Sequence, residues 1–256
     1  MRVPIIAANW KMNKGLAEAC QFISALKAIV KNLPYLQVVI VPSFVTLYPV
    51  SQLLADSPFK LGAQDMYWEP KGAFTGAVSP VMLKEVGCDF VIVGHSERRQ
   101  YFAETDETVR KKVAAAMSYG LTPILCVGES EKEREEGKTF KVLESQLTGG
   151  LKGVSPDSPE RLAVAYEPVW AIGTGKTATS QQAEEAQAFA RELLGNILGK
   201  SMAQGIRIIY GGSVTPENIA ELMRMPNVDG ALVGGASLEV DSFARIIAFD
   251  RSQAMR

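Results

Sequence analysis

The sequence predicts an α/β fold, a single-domain closed (β/α)8 barrel of eight parallel strands, and two observations carry that prediction. Eight short apolar, β-branched runs recur along the 256 residues, and amphipathic stretches separate them. Near-continuous apolar runs read as strands buried on both faces, because a strand with one solvated face would alternate. Strict alternation of strand and helix gives a parallel sheet. Eight such units in about 250 residues favour closure into a barrel over an open, doubly wound sheet. No Pro/Ser-rich linker or composition shift divides the chain, so residues 1–256 are expected to form one catalytic domain.

The predicted strands are residues 3–8, 37–41, 60–63, 90–93, 122–127, 162–166, 206–210 and 230–233. Between them, 16–31 carries apolar residues at helical spacing, with Leu26, Ile29, Val30 and Leu33 near its end. Residues 105–119 start on a Thr105 cap and close before Gly120. Residues 180–198 are rich in Ala, Glu and Gln, and Thr215-Pro216-Glu217 reads as an N-cap followed by Pro at the first helical position. The charge run 129–138 reads as a solvated helix face.

Composition removes several function classes. Lys and Arg number 27 and Asp and Glu 28, a formal net charge of −1, which gives no support for a nucleic-acid or polybasic membrane partner. Cys20, Cys88 and Cys126 show no CxxC pairing and read as free thiols of a reducing compartment. The N-terminal apolar stretch is interrupted by Asn9 and Lys11, and no run approaches the ~20 residues of a membrane span. A soluble cytoplasmic protein is expected. One histidine and no Cys cluster argue against a metal site, and no cofactor is expected.

Barrel enzymes place their chemistry on loops after the carboxyl ends of strands, and the unusual residues fall there. Asn9 and Lys11 follow the first strand, His95 the fourth, Glu167 the sixth, Gly211-Gly212-Ser213 the seventh and Gly234-Gly235 the eighth. A lone histidine is most often structural. This one breaks an apolar run at Gly94 and opens a helix start, where unpaired N–H groups disfavour the protonated ring. Glu167 ends an apolar strand, where a carboxylate is costly unless it is paired, partly solvated or functional. A carboxylate shielded from water is also a better base near neutral pH.

Residues 168–178 join a stiff apolar front, Val169, Trp170 and Ile172, to a Gly-rich back, a composition suited to a lid. Gly175-Lys176-Thr177 imitates the end of a P-loop, but Trp170 stands where that motif needs its first Gly. The two Gly-Gly pairs let a phosphate approach the backbone. Lys11, between Trp10 and Met12, is placed to neutralise it. Cys126 reads as a buried filler rather than a nucleophile.

These residues resemble the triosephosphate isomerase family along the whole chain. The resemblance runs through Asn9-Trp10-Lys11-Met12-Asn13, Val93-Gly94-His95-Ser96-Glu97-Arg98-Arg99, the stretch from Ala165-Tyr166-Glu167-Pro168 to Gly173-Thr174-Gly175, and Tyr210-Gly211-Gly212-Ser213-Val214. It implies a TIM barrel that interconverts dihydroxyacetone phosphate and glyceraldehyde 3-phosphate through an enediol(ate), in glycolysis and gluconeogenesis. It implies Glu167 as the base, His95 as the neutral electrophile, Lys11 and Asn9 as oxyanion stabilisers, and Glu97 as their polar neighbour. Asn9, Lys11, Gly173, Ser213, Gly234 and Gly235 would then bind the substrate and its phosphate.

The resemblance also implies a homodimer through the loop 64–79, whose Tyr67, Trp68 and Phe74 are more aromatic than a free loop should expose. Thr75 would reach toward the neighbour's active site. After Gly72-Ala73-Phe74-Thr75-Gly76 this chain has Ala77 where the family usually has Glu, so an intersubunit ion pair to Arg98 is expected to be missing. Two other readings share the phosphate loops: a Schiff-base aldolase using Lys11, and a non-catalytic sugar-phosphate-binding barrel.

Overall fold

The structure, a computed structural model, describes residues 2–172 and 177–249. Its strands are β1 (Ile5–Asn9), β2 (Gln37–Val41), β3 (Lys60–Ala63), β4 (Phe90–Val93), β5 (Thr122–Val127), β6 (Ala163–Tyr166), β7 (Arg207–Tyr210) and β8 (Gly230–Val233). They pair in parallel and in sequence order, and β8 returns to β1 with Gly230 opposite Ile5, so the barrel is closed as expected. β1 starts later than expected: Val3 is half-exposed and Pro4 has no N–H to give a ladder. It also runs on through Asn9, which pairs with Val41, so Asn9 ends a strand rather than following one.

Alternation along each strand divides the core in two. Ile5, Ala7, Val39, Val41, Phe90, Ile92, Ile124, Cys126, Ala163, Ala165, Ile209 and Leu232 fill the barrel interior. Their neighbours, such as Ile6, Ala8, Val91, Val93, Leu125 and Val164, face outward into the larger core under the helices. Alanines of β1 and β6 share the interior with Phe90, Ile92 and Ile124, a small-against-large fit that closes the barrel as packed core rather than a pore.

Eleven α-helices are present among the described residues: α1 (Leu16–Ile29), α2 (Phe44–Leu54), α3 (Pro80–Glu85), α4 (Ser96–Tyr101), α5 (Asp106–Ser118), α6 (Glu131–Glu135), α7 (Thr139–Leu151), α8 (Ser180–Leu198), α9 (Lys200–Gly205), α10 (Ile219–Leu222) and α11 (Val240–Ile247). The excess over one per strand comes from short helices such as α4 and α6 inside the connections. The Thr105 cap is present, with Oγ1 accepting the Thr108 N–H.

Three helical expectations are corrected. α1 stops at Ile29, which is exposed, because Val30 turns extended, so the apolar spacing outruns the helix. Thr215 caps a turn, its carbonyl accepting from Asn218 and Ile219, and the helix proper waits until Ile219. The charge run is solvated only in part, because Glu129 is fully buried.

All three cysteines are free. Burial pushes the Cys88 thiol up to about 12 and drives that of Cys126 well above its usual range, which fits a packing role for Cys126 and not a nucleophile's. No described helix is long and apolar enough to cross a membrane.

Candidate active site

The inward parity of the strands, carried one step past the packed interior, places most of the site. In β1 the inward residues Ile5 and Ala7 are followed by Asn9; in β6 Ala163 and Ala165 are followed by Glu167. Ile209 is followed by Gly211, and Leu232 by Gly234. All four of these successors line one cavity of about 280 Å³ at the carboxyl ends of the strands.

β4 departs from this pattern. Gly94 occupies the next inward step and takes φ 75°, a conformation that suits glycine. The turn makes His95 the N-cap of α4 and brings its ring into the cavity. There Nδ1 accepts the Glu97 backbone N–H at 3.2 Å, which places the ring proton on Nε2. The helix start thus orients the ring through a direct hydrogen bond from its own backbone.

Glu167 is buried. Its Oε2 accepts the Ser96 N–H, in the first turn of α4, at 2.8 Å. Oε1 lies 3.1 Å from His95 Nε2 but outside hydrogen-bond alignment, so it is a buried carboxylate oxygen with no donor among the described residues. The carboxylate needs Gly211 beside it, since a Cβ there would stand 2.8 Å from Glu167 Cγ. Lys11 donates through Nζ to Glu97 Oε1 at 2.7 Å, and its backbone N–H donates to Asn9 Oδ1 at 3.0 Å. Glu97 itself stands outside the cavity, half-exposed, and meets it only through Lys11 and His95.

Ser213, Gly234 and Gly235 line the same cavity. Lys11 runs alongside Gly234, where a Cβ would come to ordinary contact with Lys11 Cε at 3.4 Å. The glycine pairs do not lead directly into α-helices. A 3₁₀ turn, Gly235–Ser237, follows β8, and loop and turn separate Ser213 from α10. Gly173 lies outside the described residues. Asn9, Lys11, His95, Glu167, Ser213, Gly234 and Gly235 are therefore brought together.

Sequence reasoning missed two parts of this region. The Ser96 N–H holds Glu167, and a backbone donor has no residue type to betray it. Glu129 fixes the stem of the 168–178 segment. Its carboxylate accepts Tyr166 Oη–H at 3.1 Å and Trp170 Nε1–H at 2.9 Å, and its carbonyl accepts from Val169 N at 3.1 Å. Arg134 lies over the Trp170 ring, 4.3 Å from its centroid. Beyond this stem Ile172 reaches the cavity wall.

Comparison with known proteins shows the family to which the chain belongs. The family model for triosephosphate isomerase matches residues 4–250. The chain is 52% identical over 249 residues to a triosephosphate isomerase of Geobacter metallireducens, covering 97% of this chain and 99% of that one. It is 53% identical to one of Thermoanaerobacter sp. strain X514, over 97% and 100% of the two chains. A third, from Carboxydothermus hydrogenoformans, is 53% identical over 96% and 98%. Matches of this length and identity place the chain in the triosephosphate isomerase family.

Proposed function

We propose that this chain, as one catalytic domain, interconverts dihydroxyacetone phosphate and glyceraldehyde 3-phosphate by proton transfer through an enediolate. The observation that carries the reading is the meeting, in one cavity, of a buried carboxylate oxygen with no donor among the described residues, an imidazole whose Nδ1 is already engaged by the Glu97 N–H, and a lysine. Glu167 Oε1 takes a proton from the carbon beside the carbonyl. The C–H electron pair becomes the enediolate C=C bond, and the carbonyl pair moves onto oxygen. His95 Nε2–H and Lys11 meet that developing charge, with Asn9 beside them. Glu167 then returns the proton to the neighbouring carbon while His95 relays protons between the two oxygens.

A positioned base supplies roughly 10²–10⁴-fold, and each oxyanion donor in a closed site about 10²–10³-fold. Ser213, Gly234 and Gly235, with Gly173, grip the phosphate, and the 168–178 segment excludes water. Lys11 sits in an ion pair with Glu97, the state that offsets phosphate charge and not the free amine a Schiff base needs. The chemistry requires no cofactor. Incubation with dihydroxyacetone phosphate in D₂O tests the reading: isomerisation with solvent deuterium in the product is expected, and neither occurring would overturn it.

The proposed working unit is a cytoplasmic homodimer acting in glycolysis and gluconeogenesis. Phe44, Phe74, Tyr101 and Phe102 are exposed, and Phe44 and Phe102 share one cavity with Tyr67, Trp68 and Ala77 of the 64–79 loop. The loop's aromatics are partly packed on one another, Tyr67 against Trp68 at 4.0 Å, and the exposed rings beside them supply apolar contact for a second copy, with Asp65, Arg98, Glu104 and Lys112 lining the same cavity. Arg98 Nη2 already donates to Asp65 Oδ2 at 2.9 Å in the same chain, so Ala77 leaves no charge unpaired. Sedimentation should give a dimer at micromolar concentration; a monomer would refute this part alone.

A further inference from the structure

Lys11 has φ 52°, in the left-handed region that a non-glycine residue occupies only when its surroundings hold it there. Asn9 Oδ1 fixes the N–H side at 3.0 Å. The carbonyl side is fixed from a distance in sequence: Gln64 Nε2 donates to Lys11 O at 2.8 Å and to Val41 O at 3.1 Å. Both amide hydrogens of Gln64 are thereby used, and two carbonyl partners require that its nitrogen face them. Val41 O also accepts the Trp10 N–H at 3.2 Å, so the residue before Lys11 is tied to the same oxygen. Gln64 is the first residue after β3 and does not line the 280 Å³ cavity.

We propose that Gln64 is a positioning residue that holds Lys11 in its left-handed conformation, so that the ammonium projects past Gly234 to Glu97 and the cavity. A glycine at position 11 would adopt this backbone freely but would bring no charge. The carboxamide of Gln64 supplies the constraint that lets a lysine stand there. The inference rests on the isomerase reading for the consequence to turnover, but not for the consequence to anion binding.

The test is a double-mutant cycle of Gln64→Leu and Lys11→Met, read by glycerol 3-phosphate binding and by isomerisation, with thermal midpoints measured alongside. Gln64→Leu keeps the volume and removes both donors. It should raise the glycerol 3-phosphate Kd and lower kcat/KM by about 10- to 100-fold, the usual cost of a catalytic group displaced by about 1 Å. In the Lys11→Met background the same change should have no further effect on either, because its target is gone. A parent-like Kd in Gln64→Leu, or an equal loss in both backgrounds, would overturn the proposal, and a lowered midpoint with unchanged Kd would show a purely structural role. A parent that binds glycerol 3-phosphate but does not isomerise would refute the reaction, and the binding cycle would still decide the role of Gln64.

Discussion

Glu167→Gln is expected to leave a folded barrel that has lost about 10²–10⁴-fold of its turnover, the share a positioned general base supplies. The loss should fall on kcat and on deuterium uptake from D₂O together, because one group both removes and returns the proton. KM should move little, since the phosphate is assigned to Ser213, Gly234 and Gly235, which the substitution leaves intact. The carboxamide can serve only one of the two donors around it. Its oxygen either accepts from Ser96 N, as Oε2 does now, or turns to His95 Nε2–H. That mismatch costs about 1–3 kcal/mol at most, less than the stability of an ordinary domain. The check is a thermal melt beside the exchange assay. Exchange within tenfold of the parent, in a folded variant, would remove Glu167 from the role of base.

The strands were legible because a barrel strand is buried on both faces and reads as an unbroken apolar run. Asn9 and Glu167 were legible for a related reason: a polar residue at the end of such a run stands out chemically. Gln64 and Glu129 carry no such mark. Glu129 opens a charge run, and its burial is decided by Tyr166 and Trp170, 37 and 41 residues away. Gln64 begins a loop, and its partners lie 53 and 23 residues back. The misplaced start of α10 has a different cause. Thr215 caps the local chain as its chemistry demands, but a cap alone does not decide whether turn or helix follows it.

Gly128→Ala is expected to damage both stability and catalysis. A Cβ at Gly128 would stand 1.8 Å from Glu167 O and 2.6 Å from Glu167 C, atoms of backbone rather than the yielding end of a side chain. Neither side can retreat easily. Glu167 N donates to Val127 O at 2.8 Å, continuing the β5–β6 ladder. Gln146 grips Gly128 from behind, accepting its N–H at 2.7 Å and donating to its carbonyl at 3.3 Å. The added methyl must therefore break the ladder's last bond or pull Gly128 off Gln146. Overpacking of this kind costs about 1–3 kcal/mol and more where backbone must move. Whichever path the chain takes, Glu167 is carried with it, and a shift near 1 Å in a reacting group costs about 10²-fold in rate. Gly15→Ala is the control, because a Cβ there meets only Glu18 Oε2 at 3.7 Å. A Gly128→Ala protein with the melting point and kcat of the Gly15→Ala protein would show that the junction yields, and that Glu167 is placed by α4 rather than by its own strand.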